Sequence, residues 1–118
     1  TDKIANMKKE KSTSIIDKAL KYINENYTND ISLDDISMKI DVTPYYFSRI
    51  FKEEMGVNFI EYVTDLRINK AKELLADDSY SMKEICKLVG YSDPNYFSRT
   101  FRKHEGVSPS EYKEGIKQ

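Results

Sequence analysis

The sequence predicts an all-α fold: seven helices forming two helix-turn-helix subdomains joined by a long connecting helix. Three observations predict it. Helix-start signatures recur along the chain, the apolar residues between them step by three and four, and the pattern of residues 31–62 returns at 80–112. No run reads as a strand.

Taken in order, residues 1–11 are polar and lysine-rich and are expected to be a flexible linker, with the chain forming the tail end of something larger. The folded domain is expected over 12–117. Ser14 and Asp17 resemble a capping pair, and Ile16, Leu20, Ile23 and Tyr27 would form one buried stripe on a first helix. Ser32 with Asp35 opens a second helix, and Thr43–Pro44 opens a third that Gly56 stops in a left-handed conformation. Asn58 with Glu61 starts the connecting helix, about 58–76, along which Ile60, Val63, Leu66, Ile68, Ala71, Leu74 and Leu75 recur. At about 1.5 Å per residue it would be roughly 28 Å long. Ser81 with Glu84 starts a fifth helix, Asp93–Pro94 a sixth that ends at Gly106, and Ser108–Pro109 with Glu111 a seventh over 108–117.

Composition sets the class. The chain has 118 residues, 39% hydrophobic and 33% charged, which fits a helical globular protein and not a disordered one. No apolar run approaches the roughly 18 residues needed to span a bilayer, so no membrane partner is expected. One cysteine, Cys86, cannot form an internal disulfide, and a reducing cytoplasm is the expected home. The formal charge of -1 does not advertise nucleic-acid binding. What attracts a phosphate, however, is the local placement of charge.

The repeat supplies that placement. Ser32, Ile36 and Ile40 face Ser81, Ile85 and Val89. With one extra residue in the second turn, Pro44, Tyr46, Phe47, Ser48, Arg49 and Phe51 face Pro94, Tyr96, Phe97, Ser98, Arg99 and Phe101. A short helix, a tight turn and a capped second helix are the parts of a helix-turn-helix, expected here at about 31–55 and 81–104. On the second helix of each, Phe47, Ile50, Phe51 and Met55, or Phe97 and Phe101, should be buried. Tyr45, Ser48, Arg49 and Lys52 lie on another face, and Asn95, Ser98, Arg99 and Arg102 repeat the offsets. Arginine can donate two parallel bonds to guanine and asparagine can do the same to adenine. Serine adapts to either base, and a terminal Lys or Arg reaches phosphates.

At these residues the sequence resembles the DNA-binding domain of AraC/XylS-family bacterial transcription regulators, from about Ser12 to Lys117. The longest match runs from Gly90 through Asn95, Phe97 and Arg99 to Tyr112, and Leu66, Arg67, Ala71, Leu74 and Leu75 resemble the connecting helix. The resemblance implies double-stranded DNA as partner, with two recognition helices in successive major grooves about 34 Å apart. Carried over by position, it implies base reading by Tyr45, Ser48 and Arg49 in one groove, and by Asn95, Tyr96, Ser98 and Arg99 in the other. Lys52, Arg102 and Lys103 would touch phosphate. It also implies a preceding sensing or dimerising region, a homodimeric parent that meets RNA polymerase, and a monomeric isolated domain. The stretch from Gly56 to Val63 is similar to members whose partner is a phosphorylation receiver. One departure is acidic: Asp30, Asp34, Asp35 and Asp41 surround the first unit's supporting helix, and Glu53 and Glu54 end its reading helix.

The remaining candidates read as structural. Cys86 is expected to be a small packed side chain. His104 is expected either to complement a helix C-terminus or to approach phosphate. A tyrosine such as Tyr46 or Tyr96 can pack its ring and still offer its hydroxyl. No phosphate loop, nucleophile elbow or metal-ligand cluster is present in the sequence, so neither enzyme activity nor a metal or other cofactor is expected. The competing reading is a helical protein-docking module. RNA is a poorer partner, because A-form major grooves do not admit such helices.

Overall fold

The computed structural model describes residues 2–117, with side chains described for 13–116. Seven helices and no strand occupy them: α1 (Asp2–Asn26), α2 (Leu33–Lys39), α3 (Pro44–Met55), α4 (Phe59–Leu75), α5 (Met82–Leu88), α6 (Pro94–Glu105) and α7 (Pro109–Lys117). Most starts are where local chemistry puts them. Ser32 and Ser81 each accept from the backbone N–H three residues on, at 3.1 Å, and Asp35 and Glu84 reach back to the cap N–H. Asn58 and Ser108 cap α4 and α7 by accepting from Glu61 and Glu111 N–H.

The N-terminus corrects one expectation. Residues 2–11, read as a linker, continue α1, and Ser14 lies inside that helix instead of capping it. The physical reason is in the composition: residues 2–26 contain no Gly or Pro, and Lys, Glu, Ala, Met and Ile all tolerate a helix, so nothing interrupts it. Thr1 lies outside the described residues.

The chain divides into two compact units. The first comprises α1 and Asp30–Val63; the second comprises Tyr27–Asn29 and the chain from Thr64 onward. In the first, α1 and α2 both pack on α3. Ile16, Ala19, Ile23 and Ile36 are buried with Phe47, Ile50, Phe51 and Phe59, while Met55 is half-buried. Phe59 takes the core position at the start of α4, and Ile60, assigned to the apolar stripe from sequence, is 65% exposed. In the second unit Ile68, Ala71 and Leu75 of α4 close over Ile85, Val89, Tyr91, Phe97 and Phe101.

The repeat is three-dimensional within each unit. Phe51 meets Tyr62 edge-on at 5.5 Å between ring centroids, and Phe101 meets Tyr112 likewise at 5.6 Å. In the turns, Val42 N–H donates to Ser37 O and Tyr91 N–H to Cys86 O, both at 3.0 Å. Each turn needs one left-handed residue: Asp41 (φ 61°) in the first and Gly90 (φ 104°) in the second. Ser37 sits where the second unit has Cys86. Its hydroxyl donates to Leu33 O at 2.6 Å, and the Cys86 thiol donates to Tyr91 O at 3.3 Å. Burial pushes the Cys86 thiol up from its ordinary pKa, as expected for a packed, unreactive group.

One anchor in the second unit was invisible from sequence. Arg67 Nε donates to Tyr27 O at 2.7 Å, and its Nη2 donates to Asn29 O at 2.8 Å. The guanidinium also lies 5.1 Å from the Tyr91 ring centroid.

Candidate nucleic-acid interface

The candidate site is built on α3 and α6, each a helix of 12 residues with both ends chemically defined. Thr43 Oγ1 accepts from Tyr46 N–H at 3.2 Å, and Asp93 Oδ1 accepts from Asn95 N–H at 2.9 Å. A proline then begins each helix, where its missing N–H has no consequence. Gly56 (φ 79°) and Gly106 (φ 86°) end them by donating to Lys52 O and Arg102 O. The inward faces hold Phe47, Ile50 and Phe51, or Phe97 and Phe101, and this fixes the rotation of each helix and thus what it presents outward.

On α3, Tyr45 is 79% exposed, Arg49 and Lys52 are exposed, and Ser48 is half-buried on the same stripe. On α6, Asn95, Arg99 and Arg102 are exposed and Ser98 is half-buried, while Lys103 follows Arg99 by four residues on the exposed side. The two aligned tyrosines differ. Tyr46 is half-buried with the Arg49 guanidinium 5.7 Å from its ring centroid, whereas Tyr96 is 54% exposed and leans on Tyr91.

Two of the basic groups already have carboxylate neighbours. Arg49 Nε lies 4.0 Å from Glu53, and Arg102 Nη1 lies 3.5 Å from Glu111 on α7. Both pairs are solvent-exposed, where such contacts contribute at most about 1 kcal/mol. A phosphate or base edge can therefore replace either carboxylate.

Both ring nitrogens of His104 are engaged by carboxylates. Its Nε2 meets Asp65 Oδ1 and its Nδ1 meets Glu105 Oε2, both at 2.6 Å, and Glu105 also binds Lys72 Nζ at 2.9 Å. This chain of charges ties the end of α6 to α4 within the second unit. Asp65 and His104 are 39 positions apart, so no local signal could have paired them. Burial lowers the His104 pKa, but the hydrogen bonds to Asp65 and Glu105 outweigh it, and the net shift is upward. A histidine whose folded pKa is raised stabilises fully below its unfolded value of about 6.5, and that contribution is lost as pH rises through the folded pKa. The stability difference between wild type and His104→Gln, measured by urea denaturation, should therefore shrink as pH rises through the folded pKa. A gap that stays constant or widens would rule out the charged pairing.

Comparison with known proteins agrees with this architecture. A helix-turn-helix domain family matches residues 36–115. The regulatory protein PocR of Salmonella typhimurium is 35% identical over 99 residues, covering 84% of this chain and 33% of that protein. The chain spans about a third or less of the length of the curated relatives it matches first. Among solved structures, the C-terminal domain of AraT, a response regulator from Geobacillus stearothermophilus, superposes with a TM-score of 0.83. It is 37% identical over 86% of this chain and 84% of that one. The C-terminal domain of the two-component response regulator yesN from Fusobacterium nucleatum gives 0.78 at 34% identity, over 80% and 93% respectively. Among the described residues no helix is long and apolar enough to cross a membrane. The chain belongs to the helix-turn-helix family of AraC-type DNA-binding domains found in bacterial transcription regulators.

Proposed function

We propose that this domain reads two adjacent segments of one promoter or operator, with α3 and α6 entering successive major grooves. Base edges are read by Tyr45, Ser48 and Arg49 on one side and by Asn95, Tyr96, Ser98 and Arg99 on the other. Lys52, Arg102 and Lys103 set the register against phosphate. The single observation that carries this reading is the repetition itself: two helices of equal length, with matching boundaries and buried phenylalanines, each carry a half-buried serine beside an exposed arginine and a second exposed base at matched offsets. A purely structural role requires the buried face but gives no reason for the outward one to recur.

The parent protein, in this reading, is a cytoplasmic homodimer that contacts RNA polymerase. The likeness to two response-regulator C-terminal domains supports a receiver domain ahead of this one.

Selection of bound duplexes from a random pool tests the reading. Two enriched blocks about 10 base pairs apart, centre to centre, are expected. Arg49→Ala and Arg99→Ala should each lose about 1–3 kcal/mol of binding and relax preference in different blocks. Equal weakening on every sequence would eliminate base reading by these arginines. A helical protein-docking module would enrich nothing.

A further inference from the structure

Each helix-turn-helix forms a groove lined by its first helix, its turn and the proline that opens the reading helix. The lining residues occupy equivalent positions of the repeat, but their chemistry is inverted. The first unit places Asp34, Met38 and Asp41 there; the second places Lys83, Lys87 and Gly90, with Ser92 beside them. The surrounding charge follows suit. Residues 32–56 carry three basic and five acidic side chains, whereas residues 81–106 carry five and three.

Lys83 and Lys87 are four apart on α5, so their ammonium groups share one face, an arrangement that opposes helix formation. Both are exposed, and neither makes an ion pair among the described residues, unlike Arg49, Lys70, Lys72, Arg102 and Lys113. The neighbouring Glu84 forms no ion pair with them among the described residues; its carboxylate accepts from Ser81 N–H at the helix start. The first helix of a helix-turn-helix crosses the DNA backbone while the second enters the groove. The α5 lysines and the Ser92 hydroxyl are therefore placed where phosphates pass, and α2 offers carboxylates at the same place.

We propose that Lys83, Lys87 and Ser92 form a DNA-phosphate cradle in the second unit, and that the equivalent groove of the first unit makes no such contact. The second unit thus holds the backbone at more points than the first, where Lys52 on the reading helix remains the phosphate contact and the groove adds none. This rests on the DNA-reading assignment of α3 and α6.

The test measures binding of the whole chain to its selected duplex and to a scrambled one, by fluorescence anisotropy from about 50 to 200 mM salt. Each phosphate contact contributes about 0.9 to the slope of log affinity against log salt. Lys83→Gln with Lys87→Gln should lower that slope by about 2 and weaken both duplexes alike. Asp34→Lys with Met38→Lys, which places the same pair in the first unit, should raise the slope by about 2. All four positions are exposed, and unchanged helical circular dichroism confirms that each variant is folded. If the lysine double variant keeps the wild-type slope while the wild type still prefers its selected duplex, the cradle is overturned and base reading stands. A loss confined to the selected duplex would overturn it by assigning the lysines to bases. If the wild type shows no preference between the duplexes, the base-reading assignment fails and the cradle with it.

Discussion

Replacing Gly90 with alanine is expected to lower the stability of the second unit by about 3 kcal/mol, read as a lower urea midpoint at unchanged m. Two effects combine. Gly90 has φ 104°, a conformation that side chains other than glycine rarely adopt. An added Cβ would also stand 2.9 Å from Thr28 O and 3.1 Å from the Arg67 guanidinium. Neither neighbour can yield easily, because Arg67 is itself held by Tyr27 O and Asn29 O. The equivalent position in the first unit serves as a control. Asp41 adopts φ 61° there, and Asp41→Gly should shift stability by less than about 1 kcal/mol, as relief of left-handed strain offsets the greater freedom of the unfolded chain. A Gly90→Ala loss as small as that of the control would mean that the Thr28–Arg67 wall moves aside.

Truncating the second buried aromatic of either reading helix should cost more still. Phe51→Ala and Phe101→Ala are each expected to lose about 3–5 kcal/mol, since both rings are fully buried and each removal leaves a cavity. The two losses should not be equal. Phe51 contacts Phe47 at 5.5 Å, Tyr62 at 5.5 Å and Phe59 at 6.3 Å. Phe101 contacts Phe97 at 6.0 Å and Tyr112 at 5.6 Å, with Pro109 at the position equivalent to Phe59. One more edge-to-face pair is worth about 0.5–1.5 kcal/mol, so Phe51→Ala should lose the larger amount by that margin. Equal losses in chemical denaturation would assign no stabilisation to the Phe51–Phe59 contact.

The features legible in the sequence are those whose causes lie within a few residues. Ser32, Thr43, Ser81, Asp93 and Ser108 act on N–H groups two or three positions ahead, so their residue types suffice to place helix starts. Repetition made the buried phenylalanines and the outward stripes readable, because a second copy separates pattern from coincidence. Where reading failed, a competing term won. Ser14 has the right partner at Asp17 but lies in an uninterrupted run of helix formers, and a helix with no breaker continues through it. Ile60 fits a spacing rule, yet rotating it inward would turn Phe59 out, and the larger ring prevails. Arg67 and His104 take partners 38–40 positions distant, so they emerge only once the chain is folded. The outward residues were readable as candidates because the buried face of each helix leaves them no choice of direction.

The boundaries of the two reading helices have a further consequence. Each begins at a proline, ends before a left-handed glycine and contains the same number of residues, and neither terminus depends on the outward side chains for its backbone bonds except through the cap. The outward stripe of one helix can therefore be written onto the other without altering what makes either segment fold, and since 48 and 98 are both Ser and 49 and 99 both Arg, only 45 with 95 and 52 with 102 change. In the proposed reading, target preference and foldability rest on separate residues, so a variant domain with the same four-position stripe twice, or the two in reversed order, is accessible by exchanging the two pairs that differ, Tyr45 with Asn95 and Lys52 with Arg102.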